Sequence, residues 1–399
     1  MKKHLLLSFL ISLNSTLSVA QTQQLRIAAF NIAWAGSTVD FARHVEICSS
    51  KAVDWCDSRA KGTKDAPPSA EEEKRAAACQ EAFNKAAGGS SAALQVAPCN
   101  AYGSIQKVAD KTELYAGKLT GLKATIDRLI VKERVQVIAF QEVKSQEVIE
   151  TLLGPHLGKY SACVAPYDGF QTVGFAWDKS LSNAPAPCTP ESSLAIKENP
   201  QNLSSLKTVR PGVELNLAIA GKTVTLMNVH LKSGCANLKA GSGFPSYLLT
   251  DTHPACIVLN RQLGPLEAWL EKVASRTPYF VMLGDFNRKL DEELEAKISS
   301  NEVRDDGSDP SGPLVKDVNG ISNTKYLWQE LSDGKPSLVQ VGLSDAGGCK
   351  GFTGLDHILV STAIANNASL NSRKIAVVPS GTKIKSSDHC PRLTALEIN

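Results

Sequence analysis

Apolar residues recur along this chain at two spacings. "LRIAAFNIAW" (25–34) is rich in apolar positions with loose alternation. The same texture returns in "VQVIAFQEV", "TVGFAW", "VELNLAIA", "TVTLMNVHL", "YFVMLGDF", "LDHILVS" and "KIAVVPS". Short apolar runs closed by turn residues mark strands buried in a sheet. The second spacing is helical. In "GKLTGLKATIDRLIVKE", Leu119, Leu122, Ile126 and Leu129 fall three or four residues apart and predict a helix. Further helices are predicted from Ser145 and over about 258–275. "SNAPAPCTP" and "GSGFPSY" read as loops, and there are no internal repeats. Many apolar strands with interspersed helices predict an α/β or α+β domain whose sheets are covered by helices.

The pattern is interrupted over about 35–116. That stretch holds four cysteines, the helix-like "KDAPPSAEEEKRAAACQEAFNKAA" and a "GGSSAA" segment. Ser69 followed by Glu72 resembles a capping box at a helix start. Acidic and basic residues nearly balance there, so it is no basic arm. It reads as a helical insertion pinned by disulfides, with "EEEKR" as a solvated face.

The first residues do not belong to the fold. "MKKHLLLSFLISLNSTLSVA" has a basic start, an apolar stretch and a small-x-small ending, the pattern of a secretory leader over residues 1–20. Its apolar stretch is too short for a membrane span, which needs roughly 20 residues. The expectation is a chain exported to the periplasm or medium, with residues 21–399 as one catalytic domain and no stable membrane association. Loss of Lys2 and Lys3 takes the formal charge from +3 to +1. Net charge therefore gives no argument for nucleic-acid binding, and any basic surface must be local. The ten cysteines, an even number in an exported chain, predict disulfides rather than a metal cluster, because no CxxC or clustered Cys/His spacing occurs. The pairing expected is between neighbours along the chain, most firmly 163–188, 235–256 and 349–390.

Polar residues gather where the strands end. "AAFN" ends in Asn31, "VIAFQE" in Gln141 and Glu142, and "LMNVH" in Asn228 and His230. "VMLGDFN" delivers Asp285 and Asn287, "GLDHILVS" begins with Asp356 and His357, and "SSDH" carries Asp388 and His389. One such residue is usually a satisfied strand end. Six strands each bringing a carboxylate, amide or imidazole suit metal-assisted attack on a phosphate ester. Oxygen donors such as Glu142 and Asp388 select Mg²⁺, Mn²⁺ or Ca²⁺. A carboxylate-held histidine suits a general base for water, and amides with a second imidazole can hold developing negative charge.

In order, "FNIAW", "FQEVKS", "VHLKSG", "GDFNRKLD", "GLDHILVS" and "SSDHCPRL" resemble the motifs of the endonuclease/exonuclease/phosphatase superfamily, the deoxyribonuclease I-like enzymes. The motifs run from residue 25 onwards, and 35–116 has no counterpart. The resemblance implies a four-layered sandwich of two packed mixed β-sheets flanked by helices. It also implies roles. Glu142 would be the principal metal ligand, with Asn31 beside it and Asp388 as a further ligand. His389 would activate water, oriented by Asp356. His230 would touch the scissile phosphate as acid or electrostatic stabiliser. Asp285 would position the nucleophile and Asn287 would hold a phosphate oxygen. Arg210, in "TVRPGVELNL", and Lys144 would contact substrate. Phe170 stands where a tyrosine often precedes the "VGFAW" strand, which removes one phenol.

The function this implies is a secreted divalent-metal-dependent phosphodiesterase, a nuclease cleaving DNA. The alternatives are a sphingomyelinase-type lipid phosphodiesterase, for which no aromatic membrane loop is evident, a small-substrate phosphatase, and a non-catalytic binding module, which the intact motifs disfavour. His44, His156 and His253 read as surface or loop histidines. By strand alternation His357 should point away from Asp356 and be structural. Trp34 and Trp177 read as core.

Overall fold

The computed structural model describes residues 23–62, 68–181, 188–198, 207–240, 245–296, 322–332, 338–352, 354–366 and 370–399. The leader read at 1–20, the "SNAPAP" part of one loop and the "GSGF" part of another lie outside the described residues. Among the described residues no helix is long and apolar enough to cross a membrane.

The strands are β1 (Gln23–Ala35), β2 (Val137–Val143), β3 (Tyr160–Val164), β4 (Thr172–Asp178), β5 (Cys188–Glu191), β6 (Gly212–Ile219), β7 (Lys222–His230), β8 (Phe280–Asp285), β9 (Leu338–Gln340), β10 (Gly342–Asp345), β11 (Asp356–Ser361), β12 (Asn371–Lys374) and β13 (Arg392–Ile398). They form one sheet in the order β10-β12-β13-β1-β2-β4-β3 and another in the order β5-β6-β7-β8-β11-β9. Both are mixed: β1 runs parallel to β2 and antiparallel to β13, while β8 runs parallel to β7 and antiparallel to β11.

Alternation along each strand builds the layers. Leu25, Ile27 and Ala29 of β1 face Val213, Leu215, Leu226, Val281, Leu283 and Ile358 of the other sheet in one shared core. The intervening Ala28, Phe30 and Ile32 face outwards, onto α4 (Lys111–Val131) and α5 (Gln146–Leu153) through Leu122, Ile126, Leu129, Ile149 and Leu152. On the far side Met227, Val229 and Met282 pack on α6 (Pro254–Ala274) through Leu259, Leu263, Leu266 and Leu270. Strands covered on both faces read as near-continuous apolar runs, which is why the sequence shows them so plainly. The result is the expected helix–sheet–sheet–helix sandwich.

The stretch between β1 and α4 is helical, with α1 (Thr38–Ser49), α2 (Ala70–Ala87) and α3 (Ser90–Leu94). Ser69 caps α2 by accepting from the Glu72 amide at 3.2 Å. Glu71, Glu73, Lys74 and Arg75 are exposed, as a solvated face requires. Cysteine pairing departs from expectation here. The bonds are Cys48–Cys99 and Cys56–Cys79, one nested within the other, so the four cysteines do not pair in succession. The reason is the hairpin-like course of the segment: α2 turns back on α1, so its ends meet before its neighbours do. The other three, Cys163–Cys188, Cys235–Cys256 and Cys349–Cys390, join as expected.

Two further expectations change. His44 is not a surface residue: it is fully buried, its Nδ1 lies 2.9 Å from the Ala97 carbonyl, and its ring packs among Trp34, Phe41 and Trp55. "KIAVVPS" is not a strand. Pairing ends at Lys374, and the amides of Ile375 and Val378 are taken by the Pro391 carbonyl and the Thr125 hydroxyl. The apolar run there packs on α4 instead, while the true strand, Asn371–Lys374, is polar in composition. Trp34 and Trp177 are buried as expected.

Candidate active site

Strand register assembles the site. His230 at the end of β7 pairs with Asp285 of β8, and Asp285 pairs across its other side with Asp356 of β11. Directly paired residues project from the same face of a sheet. Three polar side chains therefore stand in a row at one edge, 1%, 4% and 0% exposed for Asp285, His230 and Asp356. In the other sheet Asn31 pairs with Gln141, one residue before Glu142. A register shift follows, and Ala33, Trp34 and Glu142 all adopt positive φ, +62° at Glu142. For a non-glycine residue this left-handed backbone costs about 1 kcal/mol or more. Here it turns the Glu142 side chain back towards β1, where its Oε2 accepts from the Trp34 amide at 2.8 Å.

Asn31 ties the two sheets together. Its Nδ2 donates to Glu142 Oε1 at 3.1 Å and to Asp285 Oδ2 at 2.9 Å, while its Oδ1 accepts from the Ala33 amide. So Asn31 bridges two carboxylates through its NH₂ and does not present its oxygen to them. His230 Nε2 lies 3.7 Å from Glu142 Oε1 and 3.6 Å from Asp285 Oδ2. Burial holds the His230 imidazole well below the usual histidine range, helped by the positive charges of Arg210, His389 and Lys232.

His389 completes the group. Its Nδ1 is 3.0 Å from Asp356 Oδ1, and its Nε2 faces Asp285 Oδ2 at 3.8 Å. The second oxygen of Asp356 accepts from Lys374 Nζ at 2.7 Å, with both partners fully buried. Burial alone would lower the His389 pKa, but the carboxylates of Asp356, Asp285 and Asp388 outweigh it and raise it to about 10. Burial likewise favours a neutral Asp356, yet His389 and Lys374 hold its carboxyl well below the usual range. Asp285, buried and beside Asp356, is raised to about 6 against the pull of His389.

The remaining sequence candidates divide. Asn287, at φ +51°, accepts no strain for nothing: its amide caps Asp285 Oδ1 at 2.8 Å and its Nδ2 reaches the Leu231 carbonyl. Arg210 Nη2 donates to the same Leu231 carbonyl at 2.6 Å, one residue past His230, and its buried Nε has no partner. Asp388 is half-buried in the loop before β13, and its charge acts on His389, on Lys118 and, with Glu142, on Tyr102. Lys144 departs from its expected place on substrate. Its ammonium is held by Gln95 Oε1 at 2.5 Å and the Gly169 carbonyl at 2.9 Å, so it clamps α3's exit to a loop of the main domain. Phe170 packs its ring with the Trp34 cluster, and its carbonyl accepts from Trp34 Nε1. His357 turns away, as alternation requires, its Nε2 2.9 Å from the Arg288 carbonyl.

Two buried lysines were invisible in the sequence. Lys374 was counted as the start of an apolar strand. Lys118 falls within a predicted helix whose sequence gives it no role. In fact Lys118 is fully buried, and its ammonium bonds the Ile32 carbonyl at 2.8 Å and the Ser386 carbonyl at 2.5 Å. It thus joins the segment after Asn31 to the loop carrying Asp388 and His389. Burial lowers its pKa to about 7, although Asp388 and Glu142 act to raise it. The legible signal was Gly121: a Cβ there would come within 2.8 Å of the Val378 carbonyl and 2.0 Å of Ser386 Oγ, so only glycine lets α4 approach this loop.

Among the described residues, Asp285, Asp356 and His389 have donor atoms mutually within 4.8 Å. That set is already satisfied internally, since both Asp356 oxygens and His389 Nδ1 are paired. Glu142 differs: its side chain is 25% exposed and its partners are two N–H donors. A partly exposed carboxylate with N–H partners offers the chemistry of a ligand for a hard divalent cation.

No protein-family model matches the sequence, and no curated protein does. Among solved structures, the chain overlaps an endonuclease/exonuclease/phosphatase from Bacteroides vulgatus with a TM-score of 0.46 at 11% identity, covering 94% of this chain and 100% of that one. A family protein of the same description from Bacteroides thetaiotaomicron gives 0.41 at 11% identity, covering 95% and 96%. The human Nocturnin catalytic domain gives 0.35 at 15%, covering 69% and 86%. The chain resembles that superfamily in motif order and in its two-sheet sandwich. Overlaps this loose say nothing about what it cleaves.

Proposed function

We propose that the chain is an exported, divalent-metal-dependent phosphodiesterase, and specifically a nuclease that cleaves DNA. One observation carries the reading. A histidine held by a buried carboxylate, His389 on Asp356, converges with Asp285, His230, Asn31 and a partly exposed Glu142 at one edge of two packed sheets. The five disulfides support an oxidising compartment.

Glu142 and Asp388 would hold the cation, with Asn31 fixing Glu142 from behind. When bound, a divalent cation there neutralises phosphoryl oxygens and stabilises the leaving oxygen. The protein's own groups do the rest. With Nδ1 committed to Asp356, His389 offers Nε2 as the base for water once that nitrogen has lost its proton, which the surrounding carboxylates oppose in the metal-free protein and the charge of a bound cation would favour. Asp285 Oδ2, 3.8 Å from that nitrogen, accepts the second water hydrogen and fixes the direction of attack. His230 stands on the other side of Asp285 as a donor to a phosphoryl oxygen. Arg210 and Asn287, both anchored on the Leu231 carbonyl, flank His230 and supply further donors to phosphate. Lys144 has no place in this scheme.

The test is to incubate purified protein with plasmid DNA, RNA and sphingomyelin vesicles, with Mg²⁺, Mn²⁺ or Ca²⁺ and with chelator. Plasmid cleavage abolished by chelator is expected. Turnover of sphingomyelin with intact plasmid would overturn the nuclease assignment and leave the phosphodiesterase chemistry standing.

A further inference from the structure

Among the described residues Phe352 is the one aromatic side chain among the exposed large apolar residues, 48% exposed. A single exposed apolar residue needs no explanation by itself. What sets Phe352 apart is how its segment is anchored to the loop bearing His389. The amide donates to the Asp388 carbonyl at 2.6 Å, and a β-bridge pairs Phe352 with His389. The carbonyl accepts from buried Lys374 at 3.2 Å. Three residues earlier, Cys349 is bonded to Cys390, with Cα atoms 5.9 Å apart. Next to it, Gly351 leaves no room for any other residue, since a Cβ would sit 2.1 Å from the Asp388 carbonyl oxygen.

These restraints attach to the segment that carries the base, or to the lysine behind it. The outcome is a rigid backbone that holds a phenyl ring in solvent, its centroid 5.4 Å from the His389 ring and tilted 52° to it. About half of the residue is covered and half is open to solvent. The open half has no stabilising return for the fold. It does have one for a ligand with a flat aromatic face.

We infer that Phe352 is a stacking platform for a nucleobase next to the phosphate being cleaved. This deepens the nuclease reading and rests on it. A phosphodiester seated between His389 and His230 carries a nucleoside on each side. The base of one nucleoside is the planar group closest to a ring standing beside His389. Stacking on an aromatic face is tolerant of base identity, so Phe352 selects nucleotides over plain phosphate esters without selecting sequence. It touches neither the attacked phosphorus nor the water, and it acts on binding.

The experiment compares dinucleoside phosphates with matched compounds in which one base, first on the 5′ side and then on the 3′ side, is replaced by an abasic sugar. In the wild type, kcat/KM for the full dinucleotide exceeds that for one of the two abasic compounds. Phe352→Ala should lower this ratio by about 5- to 100-fold, the range for loss of one base–aromatic stack, chiefly through KM. Phe352→Trp should restore it. Phe352→Leu, which keeps apolar bulk, should not, and it guards against an alanine variant that folds poorly. A ratio unchanged in Phe352→Ala, or rescued equally by leucine, overturns the platform while the nuclease assignment stands. A wild type that cleaves no dinucleotide and no longer nucleic acid overturns both.

Discussion

The site has two halves that are built differently. In the half formed by Asp356, His389 and Lys374, both oxygens of the carboxylate are bonded and every group is nearly or wholly enclosed. In the half formed by Glu142, Asn31 and Asp388, the carboxylates remain partly open, and the bracing comes from underneath, through Lys118. The first half keeps one imidazole in one orientation, and saturated hydrogen bonding does that. The second, on the function proposed above, accepts a cation from outside. A carboxylate left with free lone pairs at the surface edge of a buried network can do so at little desolvation cost. Each half has its own buried lysine, but the two act on different things: Lys374 on the Asp356 carboxylate as well as the Phe352 carbonyl, Lys118 on backbone carbonyls alone.

The sharpest way to break this division is metal withdrawal. Chelator, or Glu142→Ala, is expected to reduce cleavage by a thousandfold or more, on the order of the several kcal/mol such an ion supplies. Excess Mn²⁺ should restore part of the activity of Glu142→Gln, and full insensitivity to added metal would place the ion elsewhere. His389→Ala is expected to cost about 10²- to 10⁴-fold, with no recovery at any metal concentration. Recovery would merge the two halves into one. Lys118→Met leaves the Ile32 and Ser386 carbonyls without their donor, so a loss of about 1–3 kcal/mol in denaturant unfolding is expected. An unchanged midpoint would show that the brace is not needed. Arg210→Ala is a smaller effect: weaker binding of DNA and a salt dependence shallower by about one in slope. Identical slopes would remove Arg210 from the substrate path.

The last expectation concerns protons in the metal-free protein. His389 is raised from 6.5 to about 10, so the folded state holds its proton more tightly than the unfolded state. That contribution is fully present below pH 6.5 and is lost as pH rises towards 10. Thermal melting in chelator should therefore fall over that window, and less so in His389→Asn. Equal slopes for the two proteins would show that the carboxylates around His389 do not bind its charge.

How much of this was legible in the chain follows from what each residue does. Strands with both faces covered announce themselves, so β1, β2, β7, β8 and β11 were readable with their terminal Asn31, Glu142, His230, Asp285 and Asp356. β12 was not, because its "NSRK" is polar and its burial comes from a charge pair, which leaves no apolar period. Lys118 falls four residues before Leu122 and eleven before Leu129, at the edge of the apolar stripe, but a lysine there reads as reaching out to solvent, and the two carbonyls that cap it are distant in sequence. The nested cysteine pairs and the internal clamp made by Lys144 depend on where the helical segment folds back, which is tertiary information. His44 was misread for the same reason: its partners come from Trp34, Trp55 and the turn at Ala97.

The Cys349–Cys390 bond also sets a timetable. β1, which bears Asn31, is among the earliest parts of the fold to emerge during synthesis, yet its antiparallel neighbour β13 is among the last. Ser387 Oγ reaches back to the Asn31 carbonyl across the same gap. Four disulfides can close while the chain is still growing. The fifth must wait for Cys390, one residue past His389. Until Cys390 has been made, the loop bearing His389 cannot be tied to the segment bearing Phe352, so the proposed site comes together only after the residues before it have emerged.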